Sequence, residues 1–300
     1  MIRTKFIGAL LCWLTGFYPC MAVMHIACVG DSITAGFGLS NPSVDSYPAR
    51  LQLLLGTGGF LVSNYGSSGT TLLTNGDDPY IQSGQWAAST NSHPDVVVIM
   101  LGANDSKPNG NSSKLSSFSS DYQWMIGVYG NIVLSSGTHP RIILCTPPPV
   151  FGTGAYSIDP LVVSNTISPD VRTVAASNNL QLIDMQTLLA GHPEWTQDNV
   201  HPNQQGTAVM AAIVYTAIQG DTMAGTRPSL GLHYLSVRTT VLNWPAAGAG
   251  WVLQKAPHLT NTWTIPLFPA INNIGSSTIQ LTNISGDLFF RLWNPSVASR

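Results

Sequence analysis

Four short polar clusters of the chain contain a serine, a histidine, an aspartate and several hydrogen-bond donors, the residue types that cleave esters through a serine nucleophile. The first three clusters follow apolar runs, and the fourth precedes a helical pattern. The clusters are Gly30-Asp31-Ser32-Ile33-Thr34-Ala35-Gly36, Gly66-Ser67-Ser68-Gly69, Gly102-Ala103-Asn104-Asp105 and Asp198-Asn199-Val200-His201. Together they predict a nucleophile, a base and a set of oxyanion donors.

Ser32 is the predicted nucleophile and His201 the predicted base. A serine hydroxyl attacks poorly until a base removes its proton and a further acceptor holds that base in the right tautomer. Asp198, three residues before His201, is predicted to orient the imidazole, whose other nitrogen would take the proton of Ser32. Singly, the signals fit more ordinary structures, since Gly-Asp-Ser also suits a turn or a phosphate cradle and Asp-x-x-His a helix start.

Three hydrogen-bond donors are predicted to stabilise the oxygen that becomes negative in a tetrahedral intermediate. They are the backbone N–H groups of Ser32 and Gly69 and the side-chain amide of Asn104. Taken singly, Gly69 and Asn104 fit a turn glycine and a turn-capping asparagine. Because all three follow strands of one predicted parallel sheet, whose carboxyl edge is where ligands bind, the combination favours a catalytic site.

Short apolar runs alternate with helical patterns between residues 25 and 218, which predicts an α/β domain. The predicted strands span residues 25–29, 61–65, 95–101, 141–145 and 180–184, and the predicted helices span residues 47–55, 80–88, 121–134 and 204–218. Runs such as residues 96–101 are continuously apolar, as expected when helices cover both faces of a parallel sheet. We predict a three-layer α/β/α domain with a five-stranded parallel sheet over residues 23–222.

The pattern changes after residue 221 to short β-like runs separated by glycine, proline and asparagine. The runs span residues 236–242, 250–254, 262–265, 278–282 and 288–293. They predict a small all-β, sandwich-like accessory domain over residues 230–300. Its tryptophans either form the core of that sandwich or offer a contact surface for a polysaccharide. They are Trp244, Trp251, Trp263 and Trp293.

The first 22 residues have the three parts of a secretory signal peptide: Arg3 and Lys5, an apolar run over residues 6–18, and a small residue at Ala22. We expect cleavage after Ala22 and a secreted or periplasmic protein. The alternative, a membrane anchor, is disfavoured because the run is shorter than the ~20 residues that span a bilayer. Lipidation at Cys20 is a minor alternative. No stable membrane insertion is expected after cleavage.

Composition and motifs exclude several classes of partner. The net charge is −2 and no run of like charges occurs, so nucleic-acid binding is not expected. The sequence contains no His-Glu-x-x-His and no Cys-x-x-Cys motif, and we predict no metal and no cofactor. Cys28 and Cys145 lie in predicted strands one and four, and in a sheet of order 2-1-3-4-5 these are too far apart for a disulfide.

The four clusters resemble the sequence blocks of the SGNH (GDSL-type) esterase and lipase superfamily, in order and without a substitution, across residues 25–218. The Gly-Asp-Ser block matches Ser32, and the Asn-x-x-x-Ser-Gly block matches Asn64, Ser68 and Gly69. The Gly-x-Asn-Asp block matches Gly102, Asn104 and Asp105, and the Asp-x-x-His-Pro block matches Asp198, His201 and Pro202. The resemblance implies a flavodoxin-like hydrolase with an acyl-serine intermediate and no metal. The α/β-hydrolase family is disfavoured because no Gly-x-Ser-x-Gly elbow occurs.

The resemblance extends to secreted carbohydrate O-acetylesterases through the segment around Asn104 to Pro108 and the run from Cys145 to Phe151. The prolines at 147–149 either form a stiff rim on the pocket or have a structural role. The expected substrate is an acylated saccharide, such as acetylated xylan or sialic acid, or another small ester. A lipase, lysophospholipase or thioesterase of the same superfamily is the enzymatic alternative. A catalytically inactive glycan-binding protein is the alternative of another class.

Overall fold

The computed structural model describes residues 23–219 continuously and, beyond them, six strand segments. These segments span residues 231–236, 239–245, 252–256, 271–273, 276–282 and 289–293. The predicted signal peptide, residues 1–22, lies outside the described residues, so its cleavage stays a prediction. Within the described part of the chain, no helix is long and apolar enough to cross a membrane.

A five-stranded parallel sheet with the order β2-β1-β3-β4-β5 forms the centre of residues 23–219. The strands are β1 (Met24–Gly30), β2 (Phe60–Gly66), β3 (Val96–Met100), β4 (Arg141–Cys145) and β5 (Gln181–Ile183). Gly30 pairs with both Gly66 and Met100, so the carboxyl ends of the three strands β1, β2 and β3 lie level. The prediction of a five-stranded parallel sheet in this order is confirmed.

Helices cover both faces of the sheet. They are α1 (Ser32–Ala35), α2 (Pro42–Asp45), α3 (Tyr47–Leu55), α4 (Gly84–Asn91), α5 (Phe118–Gly130), α6 (Pro160–Val162), α7 (Ser168–Ser177), α8 (Met185–Leu188) and α9 (Gln204–Gln219). Val96, Val98 and Met100 of β3 pack with α3 and α9, whereas Val97 and Ile99 pack with α5 and α7. Burial on both faces therefore explains why β3 is continuously apolar.

Two helical predictions differ from the structure. Residues 80–88 form a 3₁₀ turn, Tyr80–Gln82, followed by α4, because the Ser83 side chain accepts a hydrogen bond from the Trp86 N–H and starts a new helix. The helix predicted over residues 121–134 begins earlier, at Phe118, and ends earlier, at Gly130. Helix α7 was not predicted. The helices predicted at residues 47–55 and 204–218 agree with α3 and α9 within one residue.

Cys28 and Cys145 are buried free thiols on β1 and β4, the two strands that flank β3. Burial raises the pKa of the Cys28 thiol to about 12, which keeps it protonated at neutral pH. Both cysteines therefore behave as small apolar core residues.

The six described strands of the carboxyl-terminal segment pair antiparallel in two groups. The strands are β6 (Gly231–Ser236), β7 (Thr239–Pro245), β8 (Val252–Ala256), β9 (Ile271–Asn273), β10 (Ser276–Thr282) and β11 (Phe289–Trp293). One group has the order β6-β7-β10-β9 and the other pairs β11 with β8. The strand predicted at residues 262–265 lies outside the described residues. The accessory all-β domain over residues 230–300 and its tryptophan surface stay predictions.

Candidate active site

Ser32 stands at the first position of α1, directly beyond β1. Asp31 caps this helix, since its side chain accepts a 2.9 Å hydrogen bond from the Ile33 N–H. Gly30 permits the tight junction, because a Cβ at this position would lie 2.1 Å from Thr34 Oγ1. The helix ends after one turn at Gly36, whose φ of +85° suits glycine. This strand–turn–helix junction fixes Ser32 at the carboxyl edge of the sheet.

The structure brings Ser32, His201 and Asp198 into one hydrogen-bonded chain. Ser32 Oγ lies 2.9 Å from His201 Nε2, and His201 Nδ1 lies 2.7 Å from Asp198 Oδ2. The two ring nitrogens of His201 are therefore both engaged, one by the hydroxyl and one by the carboxylate. His201 is only 3% exposed. This is the geometry in which an imidazole can remove a serine proton.

The Asp198 carboxylate also stabilises the loop that carries His201. Its Oδ1 accepts hydrogen bonds from the backbone N–H groups of Val200, at 3.1 Å, and His201, at 2.7 Å. Partial burial alone would raise the pKa of Asp198, but the backbone and ring N–H groups of His201 and the Val200 N–H outweigh it and hold the pKa below its usual value. Asp198 is therefore ionised at neutral pH, as an orienting carboxylate must be.

The predicted oxyanion donors Ser32, Gly69 and Asn104 follow the three level strands β1, β2 and β3. The Ser32 N–H is at the start of α1, where backbone donors have no partner within the helix. Asn104 Nδ2 donates to Thr70 O at 3.1 Å and to Asp31 Oδ2 at 3.3 Å. Asn104 is thereby joined to the residue after Gly69 and to the residue before Ser32. An oxyanion that binds this amide must replace one of its two acceptors.

The side chains of the buried Asp105 and the partly buried Asp121 hold the loop that contains Gly69. Asp105 accepts hydrogen bonds from the backbone N–H groups of Leu72, at 3.0 Å, and Leu73, at 2.8 Å. Asp121 accepts from the Thr74 N–H at 2.9 Å. The loop has little regular structure of its own, so these side chains replace the backbone partners that a helix or strand would supply.

Asn64, in the second sequence block, ties β2 to the serine segment. Its amide donates to Thr34 O at 2.9 Å, and its carbonyl oxygen accepts from the Gly66 N–H at 2.9 Å. The two segments approach so closely that a Cβ at Gly66 would lie 2.1 Å from Ala35 N. The block therefore positions the start of the Gly69 loop against α1.

Three residues of the site, Asp31, Phe37 and Tyr156, were given no role by the sequence analysis, and Asp105 was named only as part of a sequence block. Asp31 and Asp105 are buried carboxylates beside Ser32 and Asn104, and the helix-cap pattern of Gly-Asp-Ser could have indicated the first of them. Phe37 and Tyr156 lie against the His201 ring, with ring centroids 4.7 and 5.2 Å away. No sequence signal points to Tyr156, which belongs to an irregular loop.

The prolines at 147–149 are buried, and Pro147 lies near Gly102, which favours their structural role over an exposed rim. Within the described residues, no cluster of three histidine, cysteine, aspartate or glutamate side chains could hold a metal ion.

Comparisons with known proteins agree with this architecture. The chain is 37% identical over 210 residues to an acetylxylan esterase of Xylanibacter ruminicola, a match that covers 65% of this chain and 43% of that protein. The chain thus spans less than half the length of this relative. Among solved structures, the carbohydrate acetylesterase Est24 of Sinorhizobium meliloti superposes with a TM-score of 0.53 at 19% identity, covering 66% of this chain and all of that one. The aryl esterase of M. smegmatis superposes with a TM-score of 0.51 at 18% identity, covering 64% of this chain and 98% of that one.

The parallel sheet with its flanking helices is the α/β fold of SGNH hydrolases. The chain belongs to the GDSL-like Lipase/Acylhydrolase family, whose model matches residues 28–209.

Proposed function

We propose that this hydrolase is a serine esterase that works through an acyl-serine intermediate. The observation that carries the proposal is the hydrogen-bonded chain from Ser32 through His201 to Asp198, at 2.9 and 2.7 Å. His201 Nε2 takes the proton of Ser32 Oγ as that oxygen attacks the ester carbonyl. Asp198 holds the imidazole in the tautomer with hydrogen on Nδ1 and stabilises the imidazolium that forms.

The Ser32 and Gly69 N–H groups and the Asn104 amide stabilise the tetrahedral oxyanion in this proposal. The intermediate collapses when the bond from carbon to the alcohol oxygen breaks and His201 returns its proton to that oxygen. A water molecule, deprotonated by His201, then attacks the carbonyl carbon of the acyl-serine. The bond from that carbon to Ser32 Oγ breaks, His201 returns the proton to Oγ, and the acid is released. Each oxyanion donor contributes about 2.7 to 4 kcal/mol in enzymes where one has been removed.

The proposed substrates are short acyl esters, chiefly O-acetyl groups on carbohydrates such as acetylated xylan or sialic acid. The relationship to an acetylxylan esterase supports this choice. The signal-like residues 1–22 support export, so the substrate would be met outside the cytoplasm. The carboxyl-terminal segment, with its four tryptophans, is proposed to contact polysaccharide. Amino-terminal sequencing of the exported protein should find Val23 first.

The rate of acetate release from acetylated xylo-oligosaccharides, beside p-nitrophenyl acetate and octanoate, tests this proposal. We expect rapid acetate release, weak octanoate cleavage, and a loss of at least about 10⁴-fold in kcat for Ser32→Ala. Ser40→Ala, which alters an exposed serine nearby, is the matched control and should retain the wild-type rate.

Two results would contradict parts of the proposal. Equal activity of wild type and Ser32→Ala would refute the acyl-serine mechanism. Strong, Ser32-dependent octanoate cleavage with little acetate release would instead assign the enzyme to the lipase, lysophospholipase or thioesterase group.

A further inference from the structure

Two half-exposed aromatic rings flank the buried ring of His201. Phe37 is 43% exposed and Tyr156 is 56% exposed, although both contact a histidine that is nearly inaccessible. Their ring centroids lie 5.7 Å apart with the planes almost perpendicular. Large apolar rings in contact with a catalytic histidine yet open to solvent form a surface that a ligand can cover.

The backbone of Phe37 is fixed at both of its polar atoms. Its N–H donates to Ser32 O at 2.9 Å, and its carbonyl accepts from Gln197 Nε2 at 2.8 Å. Ser32 is the proposed nucleophile, and Gln197 immediately precedes Asp198. The aromatic ring is therefore carried by a segment that is hydrogen-bonded both to Ser32 and to the loop of Asp198 and His201, which we call the acid–base loop.

The turn that carries Tyr156 is also tied to the acid–base loop. The Phe151 N–H donates at 2.9 Å to the carbonyl oxygen of Asn199, a residue that lies between Asp198 and His201 in the sequence. Tyr156 and Ser157 have φ values of +55° and +61°, a region that side-chain-bearing residues seldom occupy. Backbone strain of this kind is retained where the surrounding structure imposes it, and it concentrates at ligand-binding sites.

The chemistry of His201 determines which part of an ester meets these rings. His201 Nε2 returns its proton to the alcohol oxygen when the acyl-serine forms, so that oxygen must come within hydrogen-bond reach of the imidazole. The alcohol half of the ester therefore extends past the edge of the His201 ring, where Phe37 and Tyr156 lie. A pyranose has C–H faces that pack on aromatic rings and hydroxyl groups at its rim that stay in water.

We propose that Phe37 and Tyr156 form a stacking subsite for the pyranose ring that bears the ester, on the alcohol side of the scissile bond. The inference rests on the proposed function, since it places the alcohol by the proton that His201 returns. The aromatic pair would then determine which alcohol part of the ester is preferred, and not which acyl group. A small alcohol such as ethanol leaves most of both rings uncovered and gains little from them.

Binding to an inactive variant tests the subsite without turnover. In the full chain carrying Ser32→Ala, calorimetry with acetylated xylotetraose should show Kd rising about tenfold for Phe37→Ala and about tenfold for Tyr156→Ala, where tenfold corresponds to about 1.4 kcal/mol. Phe37→Tyr and Tyr156→Phe keep the rings and should keep the affinity. Phe37→Leu keeps apolar bulk without a ring and should lose affinity. Unchanged Kd in both alanine variants would overturn the proposal.

A matched control uses an aromatic residue elsewhere on the surface. Trp124 on α5 is 49% exposed and stacks on Trp86 with centroids 5.8 Å apart. Trp124→Ala removes a ring of comparable exposure and should leave Kd for the oligosaccharide at its parent value. A loss of affinity equal to that of the Phe37 and Tyr156 variants would overturn the subsite, because binding would then not depend on the rings beside His201.

Kinetics in the active enzyme separate the subsite from the esterase activity. The ratio of kcat/KM for the acetylated oligosaccharide to kcat/KM for ethyl acetate should fall about tenfold or more in each alanine variant, mainly through KM. An equal loss on both substrates would overturn the subsite and leave the esterase standing. Absence of Ser32-dependent hydrolysis of any ester would instead refute the proposed function, while the binding measurements still decide whether the rings hold a sugar.

Discussion

The aspartates on the two sides of Ser32 have pKa values that are shifted in opposite directions. On the side of His201, Asp198 is a quarter exposed and its pKa lies below the usual value. On the side of Asn104, Asp31 and Asp105 are buried, and burial raises their pKa to about 7 and about 6 despite the hydrogen bonds that they accept. One side of the nucleophile thus holds a carboxylate that stays charged, and the other holds two that protonate near neutral pH.

The number of N–H donors and the exposure to water explain this difference. Asp198 accepts from two backbone N–H groups and from the imidazole while it keeps contact with solvent. Asp105 accepts from two backbone N–H groups without solvent, and Asp31 accepts from one together with the Asn104 amide. The nearby charge of Asp105 raises the pKa of Asp31 further. A carboxyl group is therefore suited to orient a base only where donors outweigh dehydration.

Among the variants that test this comparison, Asp198→Asn should have the largest effect, which is on catalysis. The amide cannot hold His201 in the required tautomer or balance the imidazolium charge, so kcat should fall about 10²- to 10⁴-fold. The measurement is steady-state hydrolysis of p-nitrophenyl acetate. Asp170→Asn, which neutralises a partly exposed aspartate at the start of α7, should keep the wild-type kcat. An undiminished rate in Asp198→Asn would remove the contrast between the two sides of Ser32.

The second largest effect should be that of Asn104→Ala, on the side of Ser32 where Asp31 and Asp105 are buried. Loss of a proposed oxyanion donor should lower kcat about 10²- to 10³-fold with a smaller change in KM. Asn131→Ala alters an exposed asparagine at the end of α5 and serves as the control. A change confined to KM would show that the amide binds the ground state and the transition state equally, and would contradict its role as an oxyanion donor. Thermal unfolding of the same samples reports any loss of fold, since Asn104 also donates to Thr70 O.

The smallest effect is a change in how stability depends on pH in Asp31→Asn. The pKa of Asp31 is about 7 in the folded protein and its ordinary value is 3.8, so between these values the folded state holds a proton that the unfolded chain has released. Wild-type stability therefore falls as pH rises through this window. From pH 5 to pH 8, the free energy of unfolding of the wild type should drop by about 2 to 3 kcal/mol relative to Asp31→Asn. Urea unfolding at several pH values measures this difference.

Asp105→Asn sharpens the same comparison. The amide nitrogen would face the N–H of Leu72 or Leu73, so one buried donor loses its acceptor. We expect a loss of about 1 to 3 kcal/mol at pH 8. In Asp31→Asn the remaining oxygen still accepts from the Ile33 N–H, and the Asn104 amide that faces the new nitrogen keeps Thr70 O as an acceptor, so the loss should be smaller. Equal stability changes in the two variants at that pH would contradict the view that donor number distinguishes these carboxyl groups.

Local pattern was sufficient to predict the sheet and several element bounds. Strand β4 and helix α3 agree with the predicted residues 141–145 and 47–55, because an apolar run or a helical period alone defines them. Helix α7 was missed because only Val171, Val174 and Ala175 form its apolar stripe in a polar segment. These three have helical spacing, so a weak signal was present.

Only those residues of the site that belong to sequence motifs could be predicted. The sequence names Ser32, Asp198 and His201, which lie in hydrogen-bond contact, and their catalytic roles stay predictions. The contact of Tyr156 with His201 depends on a turn that packs across from a distant part of the chain, as the bond from Phe151 N to Asn199 O shows. The raised pKa of Asp31 depends on its burial and on the charge of Asp105, a residue distant in the chain. Neither property is encoded in a short motif.

The turn that carries Tyr156 has consequences for how such an enzyme diversifies. It begins where the Phe151 N–H meets Asn199 O and ends where the Asp159 N–H meets Ser106 Oγ at 2.9 Å. Between these two anchors it contributes none of the proposed catalytic groups. With the proposed subsite, substitutions at exposed positions of this turn, such as Tyr156, would change the preferred alcohol and leave the residues around Ser32 in place.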